Sequence, residues 1–484
     1  MKMSRRTLLA TTGAAISCET LAARAASAKP QRKTVTPSRL ARPSAVDVKP
    51  FMPRGQYRVN VAEAGYVEEE WFASGTDDTG QDYVTLISVM RPKDAARFSG
   101  VVLVEPFHGA GIAPICLYTS PYITRSGHGW ACVVSQKTAL EAHVQKSNPE
   151  HYASLNIQPA TASSGPVPGA APPASNGPIA ARVAASERAN QASNAILAQT
   201  GAALRTSGPF EGWNVRKVIL MGHSGTGYVC TNYIANAHGT HRLAGGAPVF
   251  DGLFPSGYPG EAFGPRDVPL LQVMCDGDAP DATTAMAGGF GVAGRRYRRR
   301  DSDAPDDRYR LYEIAGMPHM GTRYPPYTDP RHWQSMETAG RVPLDSTMNS
   351  LPHHEMFEMA LAHLVDWVNV SRVPPRAPRM QLDQAGRYFA KDAHGNTVGG
   401  IRCVQMDVPR ATYYACPRKE DGSAGVGTVG TEVQFEVAKM RRLYGTPANY
   451  QRQFNERLDR LISQGWFLKE NAEAMRAEAK AQQF

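Results

Sequence analysis

The chain has 484 residues, 42% hydrophobic and 20% charged. That is enough to bury a large core, as one big α/β domain or two smaller ones. The formal charge is +9, and three of those charges fall within the first 28 residues. What remains is too mildly basic to argue for nucleic acid. The densest basic run, Arg295 to Arg300, reads as a solvated loop rather than a binding stripe.

The chain opens "MKMSRRTLLATTGAAISC". A twin arginine, Arg5-Arg6, precedes an apolar run from Thr7 to Cys18 that is too short to span a bilayer. The Ser-Arg-Arg-x-Leu-Leu pattern resembles a twin-arginine export signal, and Ala26-Ser27-Ala28 fits its cleavage site. The expectation is a signal over 1–28, a linker over 29–50, export through the twin-arginine machinery, and a periplasmic or secreted protein. A lipid anchor on Cys18 is the lesser alternative, because Ala15-Ile16-Ser17-Cys18 lacks the usual Leu of a lipoprotein box.

From Gly65 the pattern is strand-like: "GYVEEEWFASG", "DYVTLISVMRP", then the apolar runs Gly100 to Pro106 and Gly129 to Gln136. Continuous apolar runs suit strands covered on both faces. A Pro/Ala/Ser/Gly-rich stretch over 158–180 reads as a flexible insertion. A helix is expected from Ala184 to Leu204, then a strand from Val218 to Met221. Further strands are expected to end near Phe250, and to span Val268 to Cys275 and Arg308 to Gly316. Met356 to Val370 has the apolar spacing of an amphipathic helix. A strand-like piece, Gly399 to Val408, and a helix, Ala448 to Ile462, fall in a C-terminal extension near 380–484. The alternation predicts a mainly parallel sheet flanked by helices, with that extension packed on the main domain.

Between the Val218–Met221 strand and the next helix lies Gly222-His223-Ser224-Gly225-Thr226-Gly227. A serine hydroxyl needs a base to take its proton and donors to hold the oxyanion that results. A tight strand-to-helix turn exposes the oxygen and aims helix N–H groups at the developing charge. Gly222 and Gly225 supply small residues for such a turn, but the position two after Ser224 is Thr226 instead of the glycine of the generic pentapeptide. The expected chain order is Ser, acid, His. Asp276-Gly277-Asp278 follows one later strand, and Met317-Pro318-His319 follows the next. His319 is therefore the candidate base and Asp278 the first candidate acid, with Asp276 and Asp251 as alternatives. Gly225 is one candidate oxyanion donor. The second is sought in the loop "EPFHGAGI", at Phe107, His108 or Gly109, with His108 alternatively a supporting or substrate-contact residue.

No Cys or His spacing suits zinc, and neither metal nor organic cofactor is implied. His353-His354-Glu355 reads as a helix start rather than a ligand set. Cys403 and Cys416 are a possible disulfide, whereas Cys116, Cys132, Cys230 and Cys275 sit in or beside apolar runs as buried thiols. The sequence leaves the oligomeric state open.

These segments resemble the bacterial "alpha/beta hydrolase domain" proteins, a poorly characterised branch of the α/β-hydrolase superfamily. The likeness runs through "RPKDAARFSGVVLVEP", "GHSGTG", "VPLLQVMCDGD", "DRYRLYEIAGMPHM", "GNTVGGIRCVQMDVP" and "LYGTPANYQRQF". The resemblance implies an α/β-hydrolase fold, Ser224 as nucleophile, His319 as base and an acid in the Asp276–Asp278 region. In that region the family more often has Glu first. "VLVEPFHGAG" departs from the family's Asn-containing loop. The expected activity is cleavage of a small-molecule carboxylic ester through an acyl-enzyme. Acyl transfer on the same triad, or non-catalytic binding on a hydrolase scaffold, are the rivals.

Overall fold

The computed structural model describes residues 31–43, 48–55, 57–158, 179–278, 296–334, 342–386, 388–417 and 427–484. The proposed signal, and nearly all of the proposed 158–180 insertion, lie outside them.

Among the described residues, ten strands form one sheet. In chain order they are β1 (Arg39–Ala41), β2 (Tyr66–Thr76), β3 (Asp82–Pro92), β4 (Val101–Pro106), β5 (Gly129–Val133), β6 (Lys217–His223), β7 (Gly252–Ser256), β8 (Leu270–Cys275), β9 (Ser302–Ala304) and β10 (Asp307–Ile314). Their order across the sheet is β9-β10-β8-β7-β6-β4-β5-β3-β2-β1. The six strands from β5 to β10 across the middle are parallel. The β3-β2-β1 edge and β9 are antiparallel. In β4 and β6, Val101 to Val104 and Val218 to Met221 are fully buried. Each such side chain stabilises by roughly 1.5–3 kcal/mol relative to exposure, which explains their near-continuous apolar sequence.

Helices cover the sheet: α1 (Pro114–Arg125), α2 (Ile179–Ala203), α3 (Gly225–Asn236) and α4 (His353–Val370). The start of α1 is fixed by a buried carboxylate at the end of β4. Glu105 accepts from the N–H groups of Ile115 (2.7 Å) and Cys116 (3.0 Å) and from Trp130 Nε1 (3.2 Å). It satisfies free donors at the helix N-terminus. Burial raises its pKa to about 7, against those hydrogen bonds. The loop 106–113 is thereby held between a strand and a clamped helix.

The C-terminal part runs back along the main sheet. Ile401 pairs with Ile314 beyond β10, its N–H donating to the Glu313 carbonyl at 2.7 Å. A small antiparallel sheet joins Thr347–Met348, Thr431–Gln434 and Ala411–Tyr414. Helices α5 (Val437–Tyr444), α6 (Pro447–Ser463) and α7 (Ala472–Lys480) follow. Glu478 ties them down, pairing with Arg323 at 2.7 Å and Arg410 at 3.0 Å.

Three local expectations change. Gly399 to Val408 is no strand: Gly399 and Gly400 take positive φ (75° and 67°), and Val404–Asp407 is a short helix. The strand expected to end near Phe250 instead begins at Gly252 and carries Pro255. Glycine and proline argue against a central strand by composition, yet both sit between β6 and β8 here. Cys403 does not bridge to Cys416: its thiol is buried in the core, with its pKa pushed up to about 12 by that burial. Cys116, Cys132, Cys230 and Cys275 are buried thiols as expected.

Candidate active site

Ser224 stands between β6 and α3 with φ 61° and ψ −125°. Positive φ is costly for a residue with a Cβ, on the order of 1–3 kcal/mol, and persists only where the surroundings impose it. Here they do. Ser224 N–H donates to the Ser256 carbonyl (3.1 Å), and its own carbonyl accepts the first helical bond from Tyr228 (2.9 Å). A Cβ on Gly222 would stand 2.4 Å from the Thr226 carbonyl oxygen, and one on Gly227 would stand 2.1 Å from that of Ser256.

The glycine missing two residues after the serine is thus displaced by one. Gly227 provides the close approach, while Thr226 is buried and fastens the turn. The Thr226 hydroxyl accepts from His223 N–H (2.9 Å) and donates to the His223 carbonyl (2.8 Å).

His319 follows β10, and Asp278 closes the turn Asp276–Asp278 after β8. His319 Nδ1 lies 2.5 Å from Asp278 Oδ1, with both side chains buried. The other Asp278 oxygen accepts from Cys275 N–H at 2.6 Å. Both oxygens are held, so the carboxylate is oriented. Gly277 permits this approach, since a Cβ there would meet His319 N at 2.8 Å and the Ala415 carbonyl oxygen at 3.0 Å.

The other two carboxylates face elsewhere. Asp276 Oδ2 accepts from Gly316 N–H (3.1 Å) and Thr397 Oγ1 (2.5 Å), joining the two strand-end loops to the C-terminal part. Asp251 precedes β7, at the opposite end of the sheet. It pairs with Arg205 at 2.6 Å and accepts from Val218 N–H at 2.8 Å.

Against His319 lies a second histidine, His223, that sequence reasoning did not single out. The His223 ring stacks on His319 with centroids 4.5 Å apart. Its Nε2 donates to the His319 carbonyl (2.9 Å) and its Nδ1 lies 3.0 Å from Ser256 Oγ. Burial, with the nearby His319 and His353, holds the His223 pKa well below the usual histidine range, so this ring is neutral. Tyr118 of α1 meets His223, His353 and His354 edge-on. The signal for His223 was its place inside the glycine-rich turn; Tyr118 had none.

Among the described residues, His223, Asp278 and His319 offer ligand atoms within 4.8 Å of one another. Both His223 nitrogens and both Asp278 oxygens already have partners, so a cation there would have to break the dyad. His353-His354-Glu355 begins α4, and Glu355 is paired with Arg58 at 3.0 Å.

The loop after β4 places His108 against the elbow. Gly225 N–H points at His108 Nε2 from 3.2 Å, and Ala110 N–H at Nδ1 from 2.9 Å. The backbone N–H groups of Phe107 and His108 donate to the carbonyls of Val133 (2.8 Å) and Ile112 (3.1 Å). His143 Nε2 donates to the Gly109 carbonyl at 2.7 Å, bracing the loop.

A family model described as "Alpha/beta hydrolase domain" matches residues 36–477. The chain belongs to the alpha/beta hydrolase domain family. Its sheet has that fold's central parallel strands, with the candidate residues at their carboxyl ends, where such sheets bind ligands. Among solved structures, the family member is similar to LpqC, a poly(3-hydroxybutyrate) depolymerase from Bordetella parapertussis, at 12% identity, covering 65% of this chain and 94% of that one, with a TM-score of 0.33. It is also similar to a cold-adapted esterase from an Arctic intertidal metagenomic library at 10% identity, covering 54% of this chain and 90% of that one, TM-score 0.28. Esterase Est22 matches at 12% identity over 44% of this chain and 66% of that one, TM-score 0.26. No curated protein matches the sequence.

Proposed function

We propose that the protein is a serine hydrolase that cleaves a small-molecule carboxylic ester through an acyl-enzyme. The observation that carries the reading is the buried His319–Asp278 contact of 2.5 Å beside the strained Ser224 turn. In the tautomer that contact favours, His319 Nδ1–H donates to Asp278, which leaves Nε2 as the acceptor for the Ser224 proton. Ser224 Oγ attacks the carbonyl carbon, and the carbonyl oxygen takes the electron pair as an oxyanion. The Gly225 N–H, at the start of α3, is assigned as one donor to that oxyanion. His319 then returns the proton to the leaving alcohol. A water deprotonated by His319 releases the acid and frees Ser224. Asp276 and Asp251 take no part in this scheme, because each is engaged elsewhere.

An alcohol in place of water would make the same site an acyltransferase. Export is part of the proposal as well and rests on Arg5-Arg6 and the apolar run after them. Its test is the compartment of an Arg5→Lys/Arg6→Lys variant, which should remain inside the cell while wild type leaves the cytoplasm.

The catalytic reading is tested with a fluorophosphonate probe on the purified protein, the label being located by peptide mass spectrometry. Labelling at Ser224 that is lost in both Ser224→Ala and His319→Ala supports it. Folded wild-type protein that takes no label, or takes it on another serine, refutes it.

A further inference from the structure

Two backbone N–H groups point at one imidazole. Ala110 N–H approaches His108 Nδ1 at 2.9 Å, and Gly225 N–H approaches Nε2 at 3.2 Å. A neutral imidazole has one acceptor nitrogen and one N–H, so the two contacts cannot both be hydrogen bonds. The ring is neutral near pH 7: burial, then the charges of His319 and His143, lower its pKa to about 4.

The shorter contact lies within the loop itself, and that loop is braced. His143 holds the Gly109 carbonyl, Gly111 N–H donates to the His108 carbonyl (2.8 Å), and Glu105 clamps the helix that follows. The Nδ1 lone pair therefore belongs to Ala110, and Nε2 carries the proton. Gly225 N–H and His108 Nε2–H are then two donors whose nitrogens stand 3.2 Å apart, close enough for one oxygen lying beside both to accept from each. Two convergent donors beside a nucleophile are what an oxyanion requires. The backbone cannot readily supply the second one from Phe107 or His108, whose N–H groups are bonded to Val133 and Ile112.

We propose that the His108 side chain is a catalytic residue, its Nε2–H being the second oxyanion donor opposite the Gly225 N–H. The inference rests on Ser224 being the nucleophile, as proposed above. When Ser224 Oγ bonds to the carbonyl carbon, the C=O π pair moves to oxygen and both N–H groups bond to it. No proton leaves His108, because the electron pair returns when the leaving group departs. The close approach also accounts for Gly225, where a Cβ would stand 2.9 Å from His108 Nε2.

The test uses the full-length protein and three readouts. Turnover of p-nitrophenyl acetate is measured for wild type, His108→Phe and His108→Gln. His108→Phe keeps the ring volume without the donor and should lower kcat by about 10²–10³-fold with KM within a few-fold, whereas His108→Gln, which retains an N–H, should recover part of the loss. A trifluoromethyl ketone, which adds Ser224 to form a stable hemiketal oxyanion, should bind His108→Phe more weakly by a similar factor. Independently of any variant's folding, ¹⁵N-histidine spectra of wild type should show His108 with a protonated Nε2 and a bare Nδ1.

Unchanged or raised turnover in His108→Phe overturns the inference, and so does a protonated Nδ1; His108 would then be a plug on the Gly225 amide. In both cases wild type still takes a fluorophosphonate label at Ser224. A wild-type protein that neither turns over nor labels removes the serine-hydrolase reading, and this inference with it.

Discussion

Gly227 and the carbonyl of Ser256 are in closer contact than any side chain allows, since a Cβ on Gly227 would lie 2.1 Å from that oxygen. The contact brings α3 down onto β7, and it also sets the geometry of Ser224, whose N–H is bonded to the same carbonyl at 3.1 Å. Backbone is on the far side, so no side chain can rotate away to make room. Gly227→Ala should destabilise the protein by at least about 1–3 kcal/mol, the range for overpacked cores, and should lower turnover as the elbow shifts. Gly239, where an added Cβ would meet no heavy atom of the described residues within 4 Å, is the control: Gly239→Ala should leave the unfolding temperature nearly unchanged. Thermal unfolding of the two variants makes the comparison.

Ser224→Ala and Ser224→Gly should both abolish turnover, but they should differ in stability. Alanine keeps the Cβ that makes φ 61° costly, whereas glycine adopts positive φ freely. Ser224→Gly is expected to be more stable than Ser224→Ala by about 1–3 kcal/mol, less whatever unfolded-state entropy glycine adds. Urea denaturation measures the difference, and equal midpoints would mean that the turn stores no strain.

The two carboxylates flanking Gly277 should separate cleanly. Asp278→Asn disturbs the 2.5 Å contact that orients His319 and should reduce kcat by about 10⁴-fold, as loss of the orienting acid does in serine triads. Asp276→Asn weakens the bonds to Gly316 and Thr397. It should act mainly through stability, with kcat within about tenfold of wild type, an order-of-magnitude expectation for a group outside the triad. Steady-state kinetics on both variants decides between them.

His128 provides a pH test remote from the chemistry. It is buried, with Nδ1 2.7 Å from Ser99 Oγ and Nε2 3.3 Å from Tyr122 OH. Burial lowers its pKa to about 3, so the folded state disfavours the charged ring that the unfolded chain forms below pH 6.5. The unfolded state then binds more protons, and stability falls as the pH drops from 6.5 towards about 3. This group alone should contribute a loss of about 2 kcal/mol between pH 6.5 and pH 5. His128→Gln should flatten the decline of the urea midpoint over that interval, and a slope equal to wild type would contradict the assignment.

Much of the fold is legible in local chemistry. The apolar runs at Val101–Val104, Val218–Met221 and Leu270–Cys275 lie buried on central strands. The glycines of "GHSGTG" announce the turn that bends at Ser224. Where local rules misled, long-range contacts had decided the matter. Pro255 is tolerated inside a central strand, and Gly399–Gly400 break a run whose apolar residues suggested a strand.

By itself the sequence determined most of the elements, the chain order of the serine, acid and histidine segments, and the family, because each follows from residues adjacent in the chain. Tertiary structure alone decided which of two carboxylates two residues apart meets His319, since that contact spans 41 residues and depends on Gly277 clearing the Ala415 carbonyl. It also decided that His108, 117 residues before Gly225, turns its ring rather than its backbone N–H towards the elbow. Composition and spacing fix what a segment can form. The direction in which a side chain finds its partner is set only when distant strands are packed side by side.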